Sequence, residues 1–509
     1  MPQDLSPLEA VKQSINPYER GDLFARLAQG TVADINPADD VVLRWHGLYL
    51  QRPAEAGRFM LRLKLPGGAI TAEQLRVVVR LARRIARPTV NLTTRQGIEL
   101  HGLALADLPQ DFAELETAGL TTLGACGDVV RNIVTCPVAG LAAEELIDTS
   151  ALVAELTAAF LGNPAFGNLP RKLKIAVCGC GARCVPTELN DVGLVAAQND
   201  QGQWGYALRL GGGLSVAPSF AVDTGIWLAP TEVTEVVTRI AELFREHSNR
   251  QNRGRARLKY LLAERGLEWF RGELEARLAR QLTSLTQPPA PFNPDHQHLG
   301  LQPQKEPGRY YLGLPVPAGR LGVDQLETVA ELAQSLGRGR LRLSYQQDLI
   351  IADLSEAARQ ALLTAEPPLA IQGWGARLVS CTGKEFCKKS LARTKEVALA
   401  LAAALDEAAP GLGLTLHVSG CTSGCGLHQI ADVGLQGTVS QTEGGAEERF
   451  DLWLGGGKAG TPEFARRVAT KVRPNDLPSV VGAFLVQYQA EALPGEAFSS
   501  FAQRILWEK

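Results

Sequence analysis

RFMLRLKLPGGAITAEQL, residues 58–75, recurs as RYYLGLPVPAGRLGVDQL, residues 309–326, at a constant shift of 251. Gly68 meets Gly319, Gln74 meets Gln325 and Leu75 meets Leu326, and the ungapped register runs on to Leu92 with Leu343 and Gln96 with Gln347. Each copy reads as an alternating strand, a Pro/Gly turn, an amphipathic helix (residues 72–85 and 323–336) and a second strand, a β-turn-α-β unit. Two further pairs follow in the same order. LKIAVCGCGARCVPTELNDVGL (173–194) matches LTLHVSGCTSGCGLHQIADVGL (414–435) at a shift of 241, each a strand, a Cys-x3-Cys loop and a strand. LGGGLSVAPSFA (210–221) matches LGGGKAGTPEFA (454–465). Repetition in fixed order over most of the chain predicts an internally duplicated α+β fold whose halves are related by a pseudo-twofold axis.

A chain of 509 residues exceeds one hydrophobic core and leaves room to bury a large cofactor. Residues 284–308, rich in proline and poor in periodic apolar residues, read as a linker. The expected division is an extension over 1–50, repeat units over 51–125 and 309–375 that pair into one domain, a first half over 126–283, and a second half over 376–509. The 45% apolar and 21% charged fractions are those of an ordinary globular protein. No apolar run approaches the roughly 20 residues of a membrane span, and the N-terminus lacks the apolar core of a signal peptide, so a cytoplasmic protein is expected. A net charge of −2 gives no footprint for nucleic acid, so a charged partner must use a local patch. The basic run at residues 250–259 is such a candidate, with a solvated helix as the plain alternative.

Nine cysteines are too few for a disulfide scaffold in a chain of this length, but they cluster. Cys381-x5-Cys387 and Cys421-x3-Cys425, with 33 residues between, lack zinc-ribbon spacing, yet four thiolates are what an iron–sulfur cube needs. The plain alternative is four cysteines packed as small hydrophobes. The stretch after Cys387 reads as a helix whose N-terminal dipole would favour its thiolate. The first half carries Cys126, Cys136, Cys178, Cys180 and Cys184; the repeat places the counterpart of Cys381 close to Asn132, which leaves either a second metal site or core cysteines.

With RFMLRLKLPGG, LTTRQGIELHG, RNIVTCPVAG and LPRKLKIAV upstream of the two cysteine pairs, the chain from about Arg58 to Gly460 resembles the ferredoxin-dependent nitrite and sulfite reductases. The resemblance implies a three-lobed fold and a 4Fe–4S cluster on Cys381, Cys387, Cys421 and Cys425, with Cys425 bridging to a siroheme. It implies that Arg62, Arg131, Lys172 and Lys174 face an oxyanion substrate, and that Thr93, Arg95 and His101 lie against the macrocycle. It also implies reduced ferredoxin as electron donor and a monomer. Arg62 aligns with Gly313 and Arg95 with Gln346 in the second copy, so the halves are expected to divide the labour, one lining the anion side and the other holding the cluster.

The cysteine loops look more like nitrite reductases, whereas Lys174 and His101 resemble the sulfite enzymes. Nitrite reduction to ammonia is therefore the first expectation and sulfite reduction to sulfide the second. A precorrin-3B synthase-like oxygenase and a non-catalytic cluster- or siroheme-binding protein are the remote ones. GGGKAG (455–460) matches a dinucleotide fingerprint without a βαβ unit around it; a loop whose N–H groups meet siroheme carboxylates, or a plain turn, is the better reading.

Overall fold

The computed structural model describes residues 5–85, 88–293, 297–364, 371–457 and 463–506. In the first repeat, Arg58–Arg62 pairs antiparallel with Ile98–Ala104, which pairs with Thr89–Leu92; in the second, Arg309–Leu314 pairs with Leu349–Ser355, which pairs with Arg340–Leu343. Each sheet is then closed by a strand of the other copy. Arg320–Gly322 adds to Thr89–Leu92, with Arg320 opposite Asn91, and Ala69–Thr71 adds to Arg340–Leu343, with Arg342 opposite Ala69. The Pro/Gly turn makes the exchange possible: Gly68 sits at φ +73°, and a Cβ there would lie 2.4 Å from the Leu343 carbonyl oxygen.

The helices begin where the sequence predicts. Thr71 Oγ1 accepts from the Gln74 N–H at 3.2 Å while the Gln74 side chain accepts from the Thr71 N–H at 3.1 Å, a capping box that starts Ala72–Arg84. Leu75, Val78, Val79 and Ala82 bury against Leu326, Val329, Ala330 and Ala333 of Val323–Leu336, so both repeats share one core. Two further cores lie under two further sheets. One sheet is Ile175–Cys178, Val192–Gln198, Trp204–Leu210 and Val222–Leu228; the other is Leu378–Ser380, Leu416–Ser419, Val433–Thr442, Gly445–Leu454 and Arg466–Val472. The result is the three-lobed, pseudo-twofold α+β architecture that the duplication implies.

The axis is sharpest at two glutamines. Gln96 Nε2 donates to the carbonyls of Leu343 (2.8 Å) and Thr135 (2.9 Å), and its Oε1 accepts from the Thr135 N–H (2.9 Å). Gln347 Nε2 donates to Leu92 (2.7 Å) and Ser380 (3.0 Å), and its Oε1 accepts from the Ser380 N–H (2.9 Å). Thr135 is thus the counterpart of Ser380, and Cys136 of Cys381. The parallel bridges agree, since Val134 pairs with Ala176 as Val379 pairs with His417. The sequence alignment that put Asn132 opposite Cys381 is corrected here: Gln96 is 40 residues from Cys136 but Gln347 only 34 from Cys381, and the shift of 251 does not survive that difference.

The N-terminal extension packs on the first half. Lys12 is buried, donating to Glu9, to Asp128 and to the Leu169 carbonyl, and Trp45 Nε1 donates to the Gly167 carbonyl at 2.7 Å. Among the described residues no helix is long and apolar enough to cross a membrane.

Candidate active site

Cys381 leaves the strand Leu378–Ser380, and Cys421 and Cys425 lie in the loop after Leu416–Ser419. The two loops close on each other because glycine permits it: a Cβ on Gly426 would lie 2.1 Å from the Val418 carbonyl oxygen, and one on Gly420 would lie 1.9 Å from Ser390 Oγ. The Gly420 N–H donates to the Cys381 sulfur at 3.2 Å. Burial pushes the Cys381 thiol up to about 12, and the neighbouring Cys425 adds to that; Cys387 is raised by burial, against N–H groups from Lys389 and Ser390 that favour its thiolate. Cys421 and Cys425 both act on Cys387, and Cys425 also on Cys381. Among the described residues no three of them lie within 4.8 Å of one another, wider than the roughly 3.8 Å sulfur–sulfur edge of a tetrahedral single-ion site.

One expectation fails at this loop. The helix after Cys387 begins only at Lys395, so its dipole does not act on that thiol. Residues 388–394 are instead held in turns, with the Ser390 N–H donating to the Cys387 carbonyl and the Leu391 N–H to that of Gly420. Local N–H groups do what the helix was expected to do.

Facing Cys425 is a group of cations from the first half. Lys172 and Lys174 flank the buried Leu173, so their side chains leave the same face of the chain. Lys172 is driven well below its usual range by burial, then by Lys174, Arg131 and Arg257, with Cys425 opposing; Lys174 is brought to about 7 by burial, Arg95 and Arg257. Neither ammonium has a hydrogen-bond or ion-pair partner among the described residues. Both residues are half-buried and keep part of their surface accessible. Lys64 is held at about 7 by burial, Arg131 and Arg95, and it donates to the Val130 carbonyl at 3.2 Å. Arg131 is pinned by the Gly127 and Ala125 carbonyls.

Arg95 donates to Asn190 Oδ1 (2.8 Å) and to the carbonyls of Asn132 and Ile175; burial, then Arg131, lowers it to about 9. Its Nε and the Asn132 Oδ1 are buried with no hydrogen-bond partner among the described residues. Thr93 Oγ1 accepts from the N–H groups of Arg95 and Gly97 and so shapes the loop, and Thr94 Oγ1 donates to the Cys425 carbonyl at 3.1 Å.

Arg62 and His101 stand differently from the lysines. Arg62 is paired with Glu99 and donates to Cys126 Sγ at 3.3 Å, so its charge is matched. Glu99, in spite of its burial, is held well below the usual carboxylate range by Arg62 and by hydrogen bonds from His101 and Thr382. His101 stacks on Phe386, inside the Cys381–Cys387 loop, with centroids 4.2 Å apart, and its Nδ1 lies 2.8 Å from Gln51 Nε2.

Three of the five cations in the basic run at residues 250–259 are tied to carboxylates; Arg255 is exposed and Lys259 donates to the Gly213 and Ala217 carbonyls. Arg250 and Arg253 are tied to Glu9 and Asp128, and Arg257 forks onto Asp191 at 2.9 and 2.8 Å, because buried carboxylates of the first half need partners. The glycine loops are also spent. The N–H groups of Gly455, Gly456 and Gly457 donate to Asp432, Ala431 and Glu463, as those of Gly211, Gly212 and Gly213 do to Asp191, Asn190 and Ser219. The remainder of GGGKAG, residues 458–460, lies outside the described residues. Two site residues escaped the sequence reading: Lys64, in the same strand pattern as Arg62, and Arg257, hidden in the basic run.

The nitrite and sulphite reductase 4Fe-4S domain model matches residues 126–282 and 376–509, and the nitrite/sulfite reductase ferredoxin-like half domain matches 52–118 and 302–365. The chain is 34% identical to a ferredoxin–nitrite reductase of Leptolyngbya laminosa over 91% of its own length and 92% of that protein. It is 34% identical to sulfite reductase (ferredoxin) 2 of Mycolicibacterium paratuberculosis over 99% and 95%. The solved structure of Mycobacterium tuberculosis NirA superposes with a TM-score of 0.91 at 30% identity, covering 98% of this chain and 96% of that one. Four thiols on two adjoining loops, beside lysines without ion-pair partners among the described residues, are accounted for because the chain belongs to the nitrite and sulfite reductase family, oxidoreductases with a 4Fe–4S cluster and a siroheme.

Proposed function

We propose that the protein reduces nitrite to ammonia, drawing six electrons singly from reduced ferredoxin, with Cys381, Cys387, Cys421 and Cys425 holding the cluster and Cys425 adjoining the siroheme. The observation that carries this reading is the excess of cations facing Cys425, four of which, Arg95, Lys64, Lys172 and Lys174, are shifted down by burial and mutual repulsion. Such a set is costly until anions enter it. Siroheme carboxylates and an anionic substrate fit that need, and the partnerless Arg95 Nε is a donor without an acceptor. When bound, the siroheme would supply the iron centre for the reduction, with the electrons coming from ferredoxin.

The chain's own residues then divide the work. Arg131, fixed by backbone carbonyls, and Lys172 bind and orient the oxyanion. Lys174, near 7, holds a proton it can release close to neutral pH. Arg62 acts through Glu99, whose bond to Thr382 (2.8 Å) ties the first repeat to the Cys381 loop. Arg95 and Thr93 shape the macrocycle's bed, and His101 supports Phe386 from behind.

Sulfite is the second reading, favoured by the M. paratuberculosis sulfite reductase relative and by the extra charge of Lys174. Steady-state reduction of both anions by the anaerobically purified protein with reduced ferredoxin decides between them. A higher kcat/KM for nitrite supports the first reading; a higher value for sulfite overturns it.

A further inference from the structure

The first half has its own cysteine cluster, away from the cations. The sulfurs of Cys136, Cys180 and Cys184 all lie within 4.8 Å of one another, and all three residues are buried. They are the counterparts of Cys381, Cys421 and Cys425: Cys180 and Cys184 through the shift of 241, Cys136 through the glutamine contacts and the parallel bridges. A fourth donor comes from the linker. His298 Nε2 lies 3.4 Å from Cys136 Sγ, and its Nδ1 lies 3.3 Å from the Tyr311 hydroxyl. An outer hydrogen bond of that kind at Nδ1 orients the ring with Nε2 towards Cys136.

We propose that Cys136, Cys180, Cys184 and His298 bind a single zinc ion, which pins the linker to the first half. With Zn–S near 2.3 Å and Zn–N near 2.0–2.1 Å, a tetrahedral site has sulfur–sulfur edges of about 3.8 Å and nitrogen–sulfur edges of about 3.6 Å. The three sulfurs lie within 4.8 Å of one another, and His298 Nε2 stands 3.4 Å from Cys136 Sγ, so metal binding needs the imidazole to draw in towards Cys180 and Cys184. Three thiolates and one imidazole fill four positions and leave none open, as in structural zinc sites. On binding, the three thiols release their protons to solvent, and no electron moves. The surroundings are dry: Val134, Val138, Ala176 and Ala352 pack around the thiols. Cys178 lies alongside, donating to the Cys180 carbonyl at 3.7 Å, and is outside the group of three sulfurs that lie within 4.8 Å of one another. The site is independent of which anion the enzyme reduces.

Elemental analysis and zinc-edge X-ray absorption on the tag-free holoenzyme test the assignment. About one zinc per chain in a shell of three sulfurs and one nitrogen is expected. Cys184→Ser and His298→Ala should lose zinc while keeping the cluster and siroheme spectra, and Cys178→Ser should keep it. Zinc at trace level in the wild type, iron in its place, or a disulfide among these cysteines by mass spectrometry would overturn the proposal. So would zinc lost in Cys178→Ser but kept in His298→Ala. If Cys184→Ser does not fold, the wild-type content and shell decide.

Discussion

Lys172 and Lys174 carry the sharpest expectations at the scale of single residues, because neither ammonium has a hydrogen-bond or ion-pair partner among the described residues. Lys172→Met removes a donor from the anion site without touching a cysteine, so turnover should fall by about 100-fold or more while both cofactor spectra persist; unchanged turnover would remove Lys172 from the mechanism. Lys174, near 7, is charged below that pH and neutral above it. The Michaelis constant for the anion should therefore rise by roughly tenfold between about pH 6 and pH 8, and Lys174→Met should flatten that profile. A steep profile persisting in Lys174→Met would assign the titration to another group, with Lys64 the next to test.

Among the elements, the two glutamine latches do the same work for different cargo. Each satisfies buried backbone groups in the partner repeat and in the segment just before a cysteine, so truncation leaves those groups without partners. Gln347→Ala should cost about 3 kcal/mol and lower cluster occupancy, because Ser380 precedes Cys381. Gln96→Ala should cost a similar amount yet leave the 4Fe–4S content intact. Thermal melts and iron and sulfide analysis of both variants check this; equal cluster loss in the two would show the latch acting globally.

The sequence displayed much at this scale. The repeat, both helices, the four second-half cysteines and the Lys-x-Lys pair are periodic or clustered in the chain itself. Other features depend on partners distant in sequence. The exchanged strands Ala69–Thr71 and Arg320–Gly322 are each three residues long, too short for periodicity to announce. Cys136 hid as the counterpart of Cys381 behind a six-residue difference in connection length. Arg250, Arg253 and Arg257 looked like part of a surface run because Glu9, Asp128 and Asp191, which claim them, are far away in the chain.

Across the whole molecule, internal ion pairs take up Arg250, Arg253 and Arg257 of the basic run, which weakens it as the donor's docking surface and turns attention to cations nearer the cluster. Lys388 and Lys389 follow Cys387, are exposed, and form no ion pair among the described residues. Lys388→Glu with Lys389→Glu should raise the Michaelis constant for ferredoxin by about tenfold and leave dye-driven reduction unchanged. Equal loss in both assays would mean damage to the loop rather than to docking.

The exchange of edge strands also bears on how the protein is made. The sheet begun by Leu48–Leu50 lacks its last strand until Gly322 has been synthesised, and the sheet of the second copy needs Ala69–Thr71, made long before. Neither repeat can finish on the ribosome alone. The nascent chain must keep an open sheet edge sheltered while the whole first half emerges, and such long-range closure is slow. Residues 126–283, with their own core and their own cysteine cluster, are the part placed to fold during that wait.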